Sequence, residues 1–141
     1  MGPRIQLIHA MAASQGPTHK AFLSLWPEAN LVDLVDSSLA TDLAKLAGTR
    51  NFPRSALAKA FSNRMATLVS YSVETGADAV LFTCSAFGAA IEEARLGVDI
   101  PVLKPDEAMI LRALHLCKAG VCRIGGLATF KPTIPSLTSE L

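Results

Sequence analysis

Charge is scarce in this chain of 141 residues: only 18 % are Asp, Glu, Lys or Arg, and 13 basic against 12 acidic residues leave a net charge of +1. No surplus of cations is available to hold a phosphate backbone, which argues against a nucleic-acid partner. Long apolar runs are missing as well. Asp33, Arg64, Asp78 and Lys104 punctuate the apolar segments before any reaches the roughly 18 residues that a membrane helix needs. The run over residues 5–13 ends in small residues as a secretory leader does, but Gln6 and His9 interrupt it and only Arg4 precedes it, so it reads as a buried strand. Cysteine is limited to Cys84, Cys117 and Cys122. An odd number in a chain large enough to fold without staples favours a reducing compartment, and a cytoplasmic location is expected. What the chain does have is apolar residues, at 50 %, enough for one core and too many for disorder or coiled coil. No internal repeat or low-complexity tract interrupts it.

The apolar runs alternate with helix signals. RIQLIH (Arg4–His9) is a short strand followed by a small, polar loop over 10–16, and Pro17 suits the first turn of a helix running to Trp26. NLVDLV (Asn30–Val35) is a second strand; Asp36, Ser37 and Ser38 are candidate caps for a helix over 39–47, which Gly48 stops. After a loop over 49–53, Leu57, Phe61, Met65 and Leu68 recur at helical spacing on a long helix from about 55 to 75, ended by Gly76. AVLFT (79–83) is continuously apolar or small, as in a central strand buried on both faces. A helix follows Cys84, with Glu92, Glu93 and Arg95 on its wet side and Ala86, Ala90, Ile91 and Ala94 on its dry side, and Gly97 closes it. Residues 100–104 form a fourth strand candidate. Pro105, Asp106 and Glu107 open the next helix, Lys118 and Gly120 close it, a fifth strand is expected over 121–128, and a last helix begins near Pro132.

This alternation predicts an α/β fold: a three-layer, mostly parallel, flavodoxin-like sheet with helices on both faces. Ligands of such sheets sit beyond the carboxyl ends of the strands where the strand order reverses, here between the first and third strands. Residues 9–14 and 84–88 are therefore the places to inspect. Cys84 stands where the central strand hands over to a helix, whose unpaired N–H groups favour a thiolate, and it is the best candidate nucleophile or base. A small buried core residue is the other reading open to it.

The segments GADAVLFTCSAFG (76–88), IPVLKPDEAM (100–109), RIGGLATFKPT (123–133) and LVDSSL (34–39) together resemble the aspartate/glutamate racemase superfamily. That family includes amino-acid and hydantoin racemases, maleate isomerases and arylmalonate decarboxylases, which work without organic cofactor or metal. The resemblance implies two similar α/β domains with the active site between them, and a pair of cysteines on opposite faces of the substrate's α-carbon. Cys84 matches the first-domain cysteine. Ser85 matches a residue that offers donors to the substrate carboxylate, and Ser14 and Thr129 match further positions facing it. On this basis residues 1–120 are the flavodoxin-like domain carrying Cys84, and 121–141 resemble the start of a second domain whose cysteine lies beyond Leu141.

Two departures bear on function. Phe130 replaces a tyrosine of the decarboxylases, and that branch has glycine where Cys84 stands, which weakens a decarboxylase reading. Neither Cys117 nor Cys122 matches the second cysteine, and with His115 they fall short of a zinc motif; no metal is expected. His9 is a candidate proton carrier or a hydrogen-bonded structural group. Asp36 reads as a cap, and Gly125 with Gly126 lacks the third glycine of a dinucleotide loop. The expectation is a cofactor-independent racemase or epimerase acting on a small carboxylate or amino acid through Cys84. The alternative is a truncated, non-catalytic domain that binds a small carboxylate or acts only in association. Apolar surface left by the terminal segment predicts a homodimer.

Overall fold

A computed structural model describes residues 2–48, 54–117, 122–129, 131 and 133–140. Four strands form one all-parallel sheet: β1 (Arg4–His9), β2 (Asn30–Val35), β3 (Ala79–Phe82) and β4 (Val102–Leu103), in the order β2-β1-β3-β4. The helices are α1 (Gln15–Leu25), α2 (Ser38–Ala47), α3 (Arg54–Glu74), α4 (Gly88–Arg95), α5 (Glu107–Leu116) and α6 (Thr133–Glu140), with single 3-10 turns at Ala12–Ser14 and Ser85–Phe87. The chain is thus α/β, with the three layers of a flavodoxin-like fold.

Alternation along the central strands sorts the layers. Even-numbered residues Ile8 of β1 and Val80 and Phe82 of β3 share one core with Leu39 and Leu43 of α2, Phe61, Met65 and Val69 of α3, and Ala90, Ile91 and Ala94 of α4. Odd-numbered Ile5, Leu7 and His9 are equally buried on the other face, the face over which α1 reaches Asp33. Phe61 and Phe87 meet edge to face, with centroids 4.9 Å apart, where α3 packs on α4. Polar groups inside this core are satisfied locally: Ser72 Oγ donates to the Leu68 carbonyl at 2.7 Å and Gln6 Nε2 to the Val32 carbonyl at 2.9 Å. Gly76, at φ +80°, ends α3 in a left-handed turn that a side chain would strain, and Ala77 N–H bonds back to the Ser72 carbonyl. Asp36 stands one residue before Ser37, the N-cap of α2, and accepts the Ser38 N–H at 3.1 Å; Arg64 of α3 ties it to Asp42 of α2.

Among the described residues the expected fifth strand over 121–128 does not form. Residues 122–128 run without regular structure and are exposed, Leu127 fully so. The edge they would have joined is β4, only two residues long, so there is almost no ladder to extend, and Gly125 with Gly126 further weakens strand formation. Cys117 and Cys122 are joined by a disulfide, which odd cysteine arithmetic does not predict, and Cys84 is a free thiol. The loop over 49–53, Lys118, Gly120, Val121, Phe130 and Pro132 lie outside the described residues, as does the side chain of Leu57. Among the described residues no helix is long and apolar enough to cross a membrane.

Leu43 is fully buried between α2 and the sheet, and Leu23 on α1 is 72 % exposed. Leu43→Ala is expected to lower unfolding free energy by about 2–5 kcal/mol, and Leu23→Ala to change it by less than about 0.5 kcal/mol, both read from urea titrations.

Candidate functional site

The parallel register brings two reactive groups to the carboxyl edge of the sheet. Ile8 of β1 stands beside Phe82 of β3, so the next residues along, His9 and Thr83, are neighbours on one face; the Thr83 N–H continues the ladder to the Ile8 carbonyl at 3.0 Å. On the other side, Leu7 stands beside Asp33 and His9 beside Val35 of β2. Asp33 is therefore diagonal to His9 on the same face, within side-chain reach.

These three strands converge on the imidazole of His9, which is fully buried. Its Nε2 lies 3.0 Å from Asp33 Oδ1. Its Nδ1 lies 2.8 Å from Ser14 Oγ and 2.9 Å from Thr83 Oγ1, and the two hydroxyl oxygens are 3.1 Å apart. Ser14 comes from the 3-10 turn after β1, where its Oγ also donates to the Met11 carbonyl at 2.8 Å. Asp33 accepts from Gln15 Nε2 at 3.2 Å and faces His19 Nε2 at 2.9 Å. Burial alone would push this carboxyl up, but the hydrogen bonds of His19, His9 and Gln15 together hold it below the ordinary aspartate range. An ionised Asp33 accepts only, so His9 Nε2 donates to it, and Nδ1 faces the two hydroxyls.

Cys84 lies across the strand end from this cluster. It follows β3 in extended conformation, at φ −125° and ψ 115°, and packs against the same core as Val80 and Phe82, opposite the face that carries Thr83. The Ala86 N–H of the 3-10 turn that follows Cys84 favours its thiolate, although Cys84 makes no side-chain cap hydrogen bond there. Burial nevertheless pushes the thiol up, the charge of Asp106 adds to that rise, and the Ala86 bond offsets only part of it. This corrects the thiolate expected from the helix N-terminus: a single turn of N–H groups is outweighed by desolvation and a nearby carboxylate. Asp106 reaches Cys84 because Leu81 of β3 pairs with Leu103 of β4, so the chain leaving β4 runs out beside the chain leaving β3.

Ser85 is half-buried at the start of the turn at Ser85–Phe87, next to Cys84. Helix α6 lies against this turn, with Thr133 buried. Thr129, by contrast, is exposed on the irregular segment before α6 and takes no part in the cluster around His9. The structure thus brings Ser14, through Thr83, to the end of β3 that carries Cys84 and Ser85. Sequence reasoning misses Asp33, Thr83 and Asp106. A charge inside the apolar run NLVDLV is the one signal that points to Asp33; the other two depend on register. Glu92 and Arg95, expected to be solvated, join buried Lys104 and Glu107 in an ionic network linking α4 to α5, with Lys104 Nζ 2.7 Å from Glu92. Among the described residues no group of three or more His, Cys, Asp or Glu side chains is arranged to hold a metal.

Alkylation of Cys84 by iodoacetamide is expected to be slower at pH 8 than that of an unstructured cysteine peptide, and Asp106→Asn to move the rate profile to lower pH; mass spectrometry against time and pH checks both. Asp33, lowered on folding, contributes stability that is fully present above the unfolded aspartate value of about 4 and is lost as pH falls through its folded value. The stability gap between the wild type and Asp33→Asn is therefore expected to be open at neutral pH and to close below about pH 4, as measured by urea unfolding across that range. No family model and no curated protein matches this chain.

Proposed function

We propose that the protein is a cofactor-independent racemase or epimerase that moves the α-proton of a small carboxylate or amino acid through Cys84. The observation that carries this reading is the position of Cys84: a half-buried free thiol at the carboxyl end of a central parallel strand, beside the place where strand order reverses. Its thiol, held protonated by burial and Asp106, suits it to hand a proton to a carbanion and to take one back in the reverse direction. Ser85 and the N–H groups of the turn at Ser85–Phe87 supply donors for the carboxylate, onto which proton loss drives negative charge. The resemblance of residues 76–88 and 100–109 to the aspartate/glutamate racemase superfamily supports the same chemistry.

Incubation with the enantiomers of aspartate and glutamate in heavy water tests this reading, with α-hydrogen loss followed by proton NMR and inversion by chiral chromatography. The wild-type chain is expected to interconvert the enantiomers of a substrate in the panel, and Cys84→Ala to lose that interconversion by about 10²-fold or more. A Cys84→Ala variant that still interconverted them at the wild-type rate would overturn the proposal.

A further inference from the structure

His9 has no role in the reading above, yet its surroundings are those of a proton carrier. The side chain is fully buried, so both ring nitrogens need partners in each protonation state that the fold is to tolerate. With the ring neutral, Nε2–H donates to Asp33, Ser14 Oγ turns to donate to Nδ1 at 2.8 Å, and Thr83 Oγ1 donates to the Ile8 carbonyl at 3.3 Å. With the ring doubly protonated, Nδ1–H donates to the hydroxyl oxygens, Ser14 returns to the Met11 carbonyl, and Thr83 stays with the Ile8 carbonyl. Neither state leaves a ring nitrogen or a hydroxyl hydrogen bare. The imidazolium would sit against Asp33, the charged group facing it from β2, which His19 of α1 shares. A hydroxyl, an imidazole in hydrogen-bond reach of it, and a carboxylate orienting the imidazole are the parts of an activated serine.

Where this assembly lies decides its use. Ser14 Oγ is 3.1 Å from Thr83 Oγ1, and Thr83 is the residue before Cys84, whose side chain leaves the extended strand end toward the opposite face. Ser14 and Cys84 thus flank the end of β3 from opposite faces.

We infer that Ser14, backed by His9 and Asp33, is the second proton carrier, working on the face of the substrate α-carbon opposite Cys84. The inference rests on the reading that Cys84 moves an α-proton. In one direction Ser14 Oγ takes the α-proton as its own hydrogen passes to His9 Nδ1. The electron pair of the broken C–H bond moves into the carboxylate-stabilised carbanion, which then takes the hydrogen of the Cys84 S–H and leaves a thiolate. The opposite enantiomer reverses each step, starting from the Cys84 thiolate and a doubly protonated His9. Ser14 is thereby a catalytic residue rather than a carboxylate contact, and His9 a positioning residue that acts through it.

Exchange of each enantiomer in heavy water, followed separately, tests the assignment in Cys84→Ala, Ser14→Ala and His9→Gln, with circular dichroism to confirm folding. Cys84→Ala is expected to keep exchange for one enantiomer only. Ser14→Ala and His9→Gln are expected to keep it for the other only, the lost exchange falling about 10²-fold or more, with none of the three inverting substrate. Damage to the fold alone would lower exchange of both enantiomers together, and that outcome for Ser14→Ala and His9→Gln overturns the inference. Inversion at the wild-type rate in those two variants overturns it as well and leaves the role of Cys84 standing. A wild-type chain that exchanges neither enantiomer of any substrate in the panel removes both readings.

Discussion

Pairing of β1 with β3 is the constraint on which the rest of the structure depends. Both strands lie inside the sheet, and their ladder must be complete because no water reaches those backbone groups. One register, Ile8 beside Phe82, then sets everything at the carboxyl edge. It places Thr83 against His9, brings the turn that bears Ser14 to the same point, and sends Cys84 to the far side of the strand. A slip of one residue would exchange the faces, putting a thiol where the imidazole now finds two hydroxyls and a hydroxyl in the apolar core.

Charge is handled differently on the two sides of that edge. On the His9 side Asp33 is surrounded by donors from β1 and α1, and its carboxylate is favoured despite partial burial. On the Cys84 side the carboxylate of Asp106 acts on the sulfur without reversing the effect of burial, so the thiol is kept in its protonated form. One side is thus arranged around an ionised carboxylate and the other around a protonated thiol. Away from the edge, Arg64 bridges Asp36 and Asp42, and Arg95 and Lys104 share Glu92; these pairs fasten helices to each other rather than serve the site.

The departures from sequence expectation have a common origin in what lies next to a segment in space. Residues 122–128 carry a strand-like pattern at Ile124 and Leu127, but β4 offers too short an edge to pair with, and a strand without a neighbour leaves its backbone groups to water. Thr129 goes with that segment and is exposed. For Cys84 the local signal, the N–H of Ala86, acts in the expected direction but is outweighed. The sign of the shift came from burial and from Asp106, a residue 22 positions later that arrives only through the pairing of β3 with β4.

Sequence by itself determined the first four strands, the helices between them and their order. The strands Arg4–His9 and Asn30–Val35 and the helices around Phe61, Met65 and Ile91 were legible because apolar period, caps and helix stops act within a few residues. It also singled out Cys84, Ser85 and Ser14, since the ends of parallel strands at the reversal of strand order are where such sheets bind ligands. Tertiary structure alone decided that Ser14 belongs with His9, Asp33 and Thr83, that Cys84 faces the other way, and that its thiol is held protonated. Those outcomes depend on register and on desolvation, which arise between segments far apart in the chain and leave no period or motif along it.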